Sequence, residues 1–195
     1  LFKNKVDKSL YGISDDHTHD NDSEHVDGDE IVLLDPHIWL SPKKLLLMLD
    51  VINYEILEGK EIALDSVIKL RNELIKLDKE YINFGKNQKY PIIVAHDAYN
   101  HLAIDYKIKF IPLFGAHHDD EPSSKDIIKV IDLINKDKIK VIYNEQNDLE
   151  NSIIKQISRE TNTEIKTLNN LSSISSGNKL SLIEILKDNL KVMEN

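Results

Sequence analysis

The chain has 195 residues, which at roughly 100–200 per domain makes one large domain or two small ones. Its 41% hydrophobic and 30% charged residues suit a globular chain with a real core, and no apolar run nears the ~20 residues of a membrane helix. The lack of cysteine excludes disulfide scaffolds, cysteine-ligated zinc and thiol nucleophiles, and a net charge of −9 argues against a nucleic-acid partner.

The chain opens Leu1-Phe2-Lys3, neither an initiator nor the front of a signal peptide. Either the mature chain begins there or a longer protein has been cut, and the opening residues do not separate the two. Asp15 to Glu30 then holds eight carboxylates, no Lys or Arg, and His17, His19 and His25; without it the net charge is −1. An acidic run alone reads as a solvated loop, but interleaved histidines add a secondary, metal-collecting reading. A short apolar strand, Ile31 to Leu34, follows. Ser41 before Pro42 is an N-cap with proline at the first helical position. Leu45, Leu46, Leu49, Ile52 and Ile56 keep helical spacing up to Gly59, and Ile62 to Leu77 resume it, ending near Tyr81 to Gly85.

From residue 90 the texture changes. Pro91 to Ala95, Phe110 to Phe114, Val141 to Tyr143 and Glu164 to Leu168 read as strands. They alternate with helices over Ala98 to Tyr106, Ser123 or Ser124 to Asn135, Leu149 to Thr161 and Leu180 to Met193. That alternation specifies a parallel sheet with right-handed crossovers. Residues 90–195 thus form a complete α/β lobe, a four-stranded parallel sheet flanked by helices. Residues 1–85 cannot close a core by themselves.

In open parallel sheets ligands sit beyond the carboxyl ends of the strands. His96 and Asp97 follow the first strand of the lobe, Glu145 the third, and Asn169 and Asn170 the fourth. His37 can meet His96 across a cleft. His101, inside a helix, reads as a surface residue, and His117-His118 as a solvated or weakly metal-binding loop pair. Tyr99 and Tyr106 read as core. The chain has no GxSxG elbow, no HExxH helix and no Gly-rich phosphate loop. His17-Thr18-His19-Asp20 begins like an HxHxDH string but lacks its last histidine. Two readings stay open: a metal-binding protein without turnover, and a zinc-dependent metallohydrolase using His37, His96 and Asp97 around a metal-activated water.

Asp35-Pro36-His37-Ile38-Trp39-Leu40-Ser41-Pro42 resembles the DPHxWLxP motif of the solute-binding proteins of zinc and manganese ABC transporters, the cluster A-I metal receptors. The preceding acidic, His-rich loop resembles that of the zinc-specific, ZnuA-like members. His96-Asp97-Ala98-Tyr99 looks like the family's HDAY segment, and Leu168-Asn169-Asn170-Leu171 like its LDPL segment.

The resemblance implies a metal-receptor fold of two lobes bridged by a long helix. Residues 1–42 would end the N-terminal lobe, 43–85 hold the bridging helix and 90–195 form the C-terminal lobe, most of the N-terminal lobe lying outside this chain. It implies His37 and His96 as ligands of the main site, with Asn169, a neutral and weaker donor than the usual Asp, at a further corner. Two imidazoles with at most one carboxylate suit Zn²⁺ better than Mn²⁺. Asp97 and Glu145 are the candidates to hold the outward ring nitrogens. The implied role is high-affinity capture of Zn²⁺ by a monomer, periplasmic or lipid-anchored outside the cytoplasm, which hands the ion to a membrane permease and its ATPase.

Overall fold

The computed structural model describes residues 35–57, 64–114, 122–146, 148–149, 151–172 and 180–194. The acidic loop with His17, His19 and His25, the Ile31 to Leu34 run and the His117-His118 pair lie outside the described residues. The chain divides into compact units after Pro36, and the architecture below is that of His37–Asn195.

A 3₁₀ turn, Ile38–Leu40, leads through Ser41 into helix α1 (Pro42–Leu57). Ser41 caps that helix: its Oγ accepts from the Lys44 amide at 3.3 Å and donates to Asp105 Oδ2 at 2.7 Å. The Lys43 amide donates to the Tyr106 hydroxyl at 2.8 Å. The first N–H groups of α1 are thereby satisfied, and the buried Asp105 carboxylate lies at the positive end of its dipole. Helix α2 (Leu64–Asn87) runs past Gly85 instead of stopping there. Gly85 is a packing glycine: a Cβ would lie 1.9 Å from the carbonyl oxygen of Tyr106.

Four parallel strands follow: β1 (Ile92–His96), β2 (Phe110–Phe114), β3 (Val141–Glu145) and β4 (Glu164–Leu168). Their order in the sheet is β2-β1-β3-β4. Between and after them run α3 (Asn100–Tyr106), α4 (Ser124–Asp137), α5 (Ser152–Thr161) and α6 (Leu182–Glu194). Three of these helices start later than apolar spacing suggests: α3 at Asn100 rather than Ala98, and α5 and α6 where polar caps set their starts. Asn151 Oδ1 accepts from the Ile154 amide, which moves the start of α5 to Ser152. Ser181 and Glu184 bond reciprocally at the start of α6, a capping box.

The sheet is the middle of three layers. Ile92 and Val94 pack with Leu74, Leu77, Leu102 and Leu186 on the side of α2, α3 and α6. Ile93 and Ala95 pack with Val130, Ile134, Ile154 and Ile157 on the side of α4 and α5. A strand buried on both faces must be apolar throughout, which is why residues 91–95 show no alternation. The Tyr81 hydroxyl donates to the Leu186 carbonyl at 2.9 Å and ties α2 to α6.

Candidate metal centre

The chain passes from β1 outward to β2 and then crosses back to β3, so the strand order reverses between β1 and β3. At such a reversal the crossovers leave on opposite faces and a crevice opens beyond the strand ends. β1 ends at His96 and β3 at Glu145, so the topology alone sets these two side chains at the crevice.

His37 reaches the same place from the other end of the sequence. It caps the 3₁₀ turn that carries Trp39 and the fully buried Leu40. Trp39 Nε1 donates to the Asn170 carbonyl at 3.0 Å, pinning the turn to the segment that leaves β4, while the Ser41–Asp105 bond pins it to α3. The His37 and His96 rings stand 5.5 Å apart, centre to centre, at 80°. Both are nearly buried, at 9% and 7% exposure, and His37 also meets the Trp39 ring edge-on at 5.4 Å. With Zn–N near ~2.0–2.1 Å and about 1.1 Å more to each ring centre, two imidazoles on one ion at a tetrahedral angle stand about 5.1 Å apart. The observed spacing fits a shared ion.

Among the described residues no third His, Asp or Glu joins the pair at ligand reach. Asn169 is tied up in its own turn. Its Oδ1 accepts from the Leu171 amide at 2.8 Å, and its backbone exchanges two hydrogen bonds with the Asn189 side chain on α6. Asn170 is the residue that faces the crevice, its Nδ2 donating to Glu145 Oε2 at 2.6 Å. Asp97 is half-buried just beyond His96. His101 departs from expectation: it is 2% exposed, not a surface residue. α3 buries His101, Leu102 and the Asp105 carboxylate along one stripe, two of the three polar and so invisible to apolar periodicity. Tyr99 is core as expected, yet its hydroxyl has no hydrogen-bond partner among the described residues.

Burial pushes the Glu145 carboxyl up to about 7, the Asn170 bond and the positive charge available to His37 pull it back, and Asp148 raises it. Unfolded, this group titrates near 4.5. Its contribution is fully present below that value and is lost as pH rises through about 7, where the buried charge must form, a loss on the order of 2–3 kcal/mol. Thermal unfolding of the metal-free protein should show this directly. The melting temperature of Glu145→Gln should gain on the wild type from pH 5 upward and level off above about 7; a constant gap between the two proteins contradicts it.

A three-layer α/β lobe with a parallel sheet, entered through a paired-helix segment, is the metal-receptor solute-binding architecture. The metal-dependent lipoprotein YcdH of Bacillus subtilis superposes with a TM-score of 0.70 at 29% identity, over 87% of this chain and 66% of that one. The Zn(II)-bound ZnuA-like domain of Streptococcus pneumoniae AdcA gives 0.64 at 26% identity, over 83% and 63%. In sequence the chain is 26% identical over 187 residues to the zinc-binding lipoprotein AdcA of Streptococcus pneumoniae R6, covering 92% of this chain and 36% of that protein. It is 29% identical over 169 residues to the high-affinity zinc uptake system protein ZnuA of Bacillus subtilis, covering 83% and 53%. It thus spans about a third to a half of these relatives. Residues 3–195 match the family described as ZnuA, zinc-uptake complex component A, periplasmic. The chain belongs to that family.

Proposed function

We propose that this chain is the metal-capturing part of a zinc-uptake receptor, with Zn²⁺ as cargo held between His37 and His96. The observation that carries this reading is the pair of buried imidazoles converging at the reversal point of the sheet, 5.5 Å apart. Neutral nitrogen donors with little carboxylate around them favour a borderline cation over an oxygen-preferring one, so Zn²⁺ fits better than Mn²⁺.

The receptor acts outside the cytoplasm, periplasmic or lipid-anchored, as a monomer that passes zinc to a membrane permease driven by an ATPase. The relatives carry the names of periplasmic and lipoprotein zinc-uptake components, which supports binding and delivery over hydrolysis. Among the described residues no helix is long and apolar enough to cross a membrane. Residues 1–42 belong with an N-terminal lobe and 43–85 act as the bridge to it.

Calorimetric titration with a competing chelator tests the reading. The expected result is one zinc per chain bound at the histidine pair, with Mn²⁺ far weaker. No zinc uptake at neutral pH, or equal affinity for the two ions, overturns it.

A further inference from the structure

Glu145 uses its two oxygens unequally. Oε2 accepts the 2.6 Å hydrogen bond from Asn170, whereas Oε1 is buried with no hydrogen-bond partner among the described residues. The side chain is 3% exposed, and a half-satisfied carboxylate at such a depth is a standing cost to the fold. An apolar residue of similar size would pack there at less expense. A cation held at the neighbouring histidine pair would answer that charge.

The surroundings of Glu145 show where the answer comes from. It ends β3 beside the strand that ends in His96. His37 is near enough that its charge acts on the Glu145 carboxyl, and that carboxyl in turn acts on Tyr99, three residues after His96, whose own hydroxyl is also buried and unpartnered among the described residues. Asn170 completes the link, because the residue that donates to Glu145 also offers the carbonyl that anchors Trp39 and hence the His37 turn. Glu145 is therefore linked through Asn170 to the turn that bears His37, and it ends the strand next to the one that ends in His96. It is not a ligand, since no third carboxylate lies within ligand reach of the pair among the described residues.

We propose that Glu145 is a positioning residue for the metal site: a buried carboxyl group, tied through Asn170 to the turn that carries His37, that supports the His37–His96 pair when it holds a divalent cation. This rests on the zinc-capture reading. A carboxylate behind a ligating imidazole raises its basicity and fixes its orientation, and loss of such a partner lowers metal affinity by about 10–100-fold.

Glu145→Gln keeps the shape and can still accept from Asn170, but removes the charge. Zinc affinity of this variant should fall about 10–100-fold in a chelator-competition titration, while the metal-free variant melts at the same temperature as wild type or higher. Glu145→Asp, which keeps the charge, should recover part of the lost affinity. In the Co²⁺-loaded proteins the d–d bands should differ between wild type and the Gln variant. A wild type that takes no zinc overturns the capture reading as well. A Gln variant that binds zinc as tightly as wild type overturns this proposal alone, as does one that is weaker for zinc and also less stable without it, which would mark Glu145 as scaffold.

Discussion

Replacing either His37 or His96 by alanine should lower zinc affinity by more than the ~10–100-fold expected for a supporting residue, with the far-ultraviolet circular dichroism unchanged. Each ring supplies one of the few nitrogen donors the described residues offer, and neither is part of a hydrophobic cluster. The double variant decides whether the two rings share one ion. Ligands of a single cation are strongly coupled, so the combined loss should fall well short of the sum of the two single losses. Losses that simply add would mean separate roles and would remove the shared site.

Gly85→Ala should destabilise the protein by about 3 kcal/mol, the upper end of ordinary overpacking, which for a chain of this size corresponds to a fall in melting temperature of about 6–12 °C. The added Cβ would sit 1.9 Å from the Tyr106 carbonyl oxygen and 3.3 Å from Ile108 Cγ1. The nearest neighbour is backbone, so no side-chain rotation relieves it. That backbone is itself fixed, since Tyr106 ends α3 and the next residue, Lys107, holds the left-handed conformation at φ 58°. In an exposed helix the same change would stabilise by up to about 1 kcal/mol. The sign of the effect therefore reports whether α2 and α3 are in contact in solution. Unchanged or increased stability would place the two helices further apart than 1.9 Å implies.

The contact between α2 and α3 matters for the site. α3 begins four residues after His96 and ends at Asp105 and Tyr106, which receive the start of α1. The Tyr106 hydroxyl also donates to Asp78 of α2 at 2.8 Å. The His37 turn is thus held to the lobe by hydrogen bonds on both sides, through Ser41 to α3 and through Trp39 to the segment after β4. A histidine pair built this way has its geometry set before any ion arrives, which favours affinity by avoiding the cost of ordering flexible ligands.

Sequence reasoning found the strands because the pattern there is local. Residues 92–95 are buried on both faces and read as an unbroken apolar run, and the helices between strands carry their own caps and periodicity. His37 and His96 were legible through their motifs, and Glu145 through its place at a strand end. The burial of His101 was not, because it lies on a helix stripe shared with Asp105, and burial of polar groups follows from their partners rather than their type. The different fates of Asn169 and Asn170 were equally hidden. They are neighbours of one type, yet one closes its own turn and the other supports Glu145.

The amino-acid order by itself determined the α/β lobe and the motif histidines, since each depends on residue type and near spacing. Only the tertiary structure decided that the strand order reverses between β1 and β3, that His37 and His96 stand 5.5 Å apart, and that one oxygen of Glu145 lies buried without a partner among the described residues. These three facts join residues tens of positions apart, and such distances are fixed by how the helices pack on the sheet rather than by any local preference of the chain.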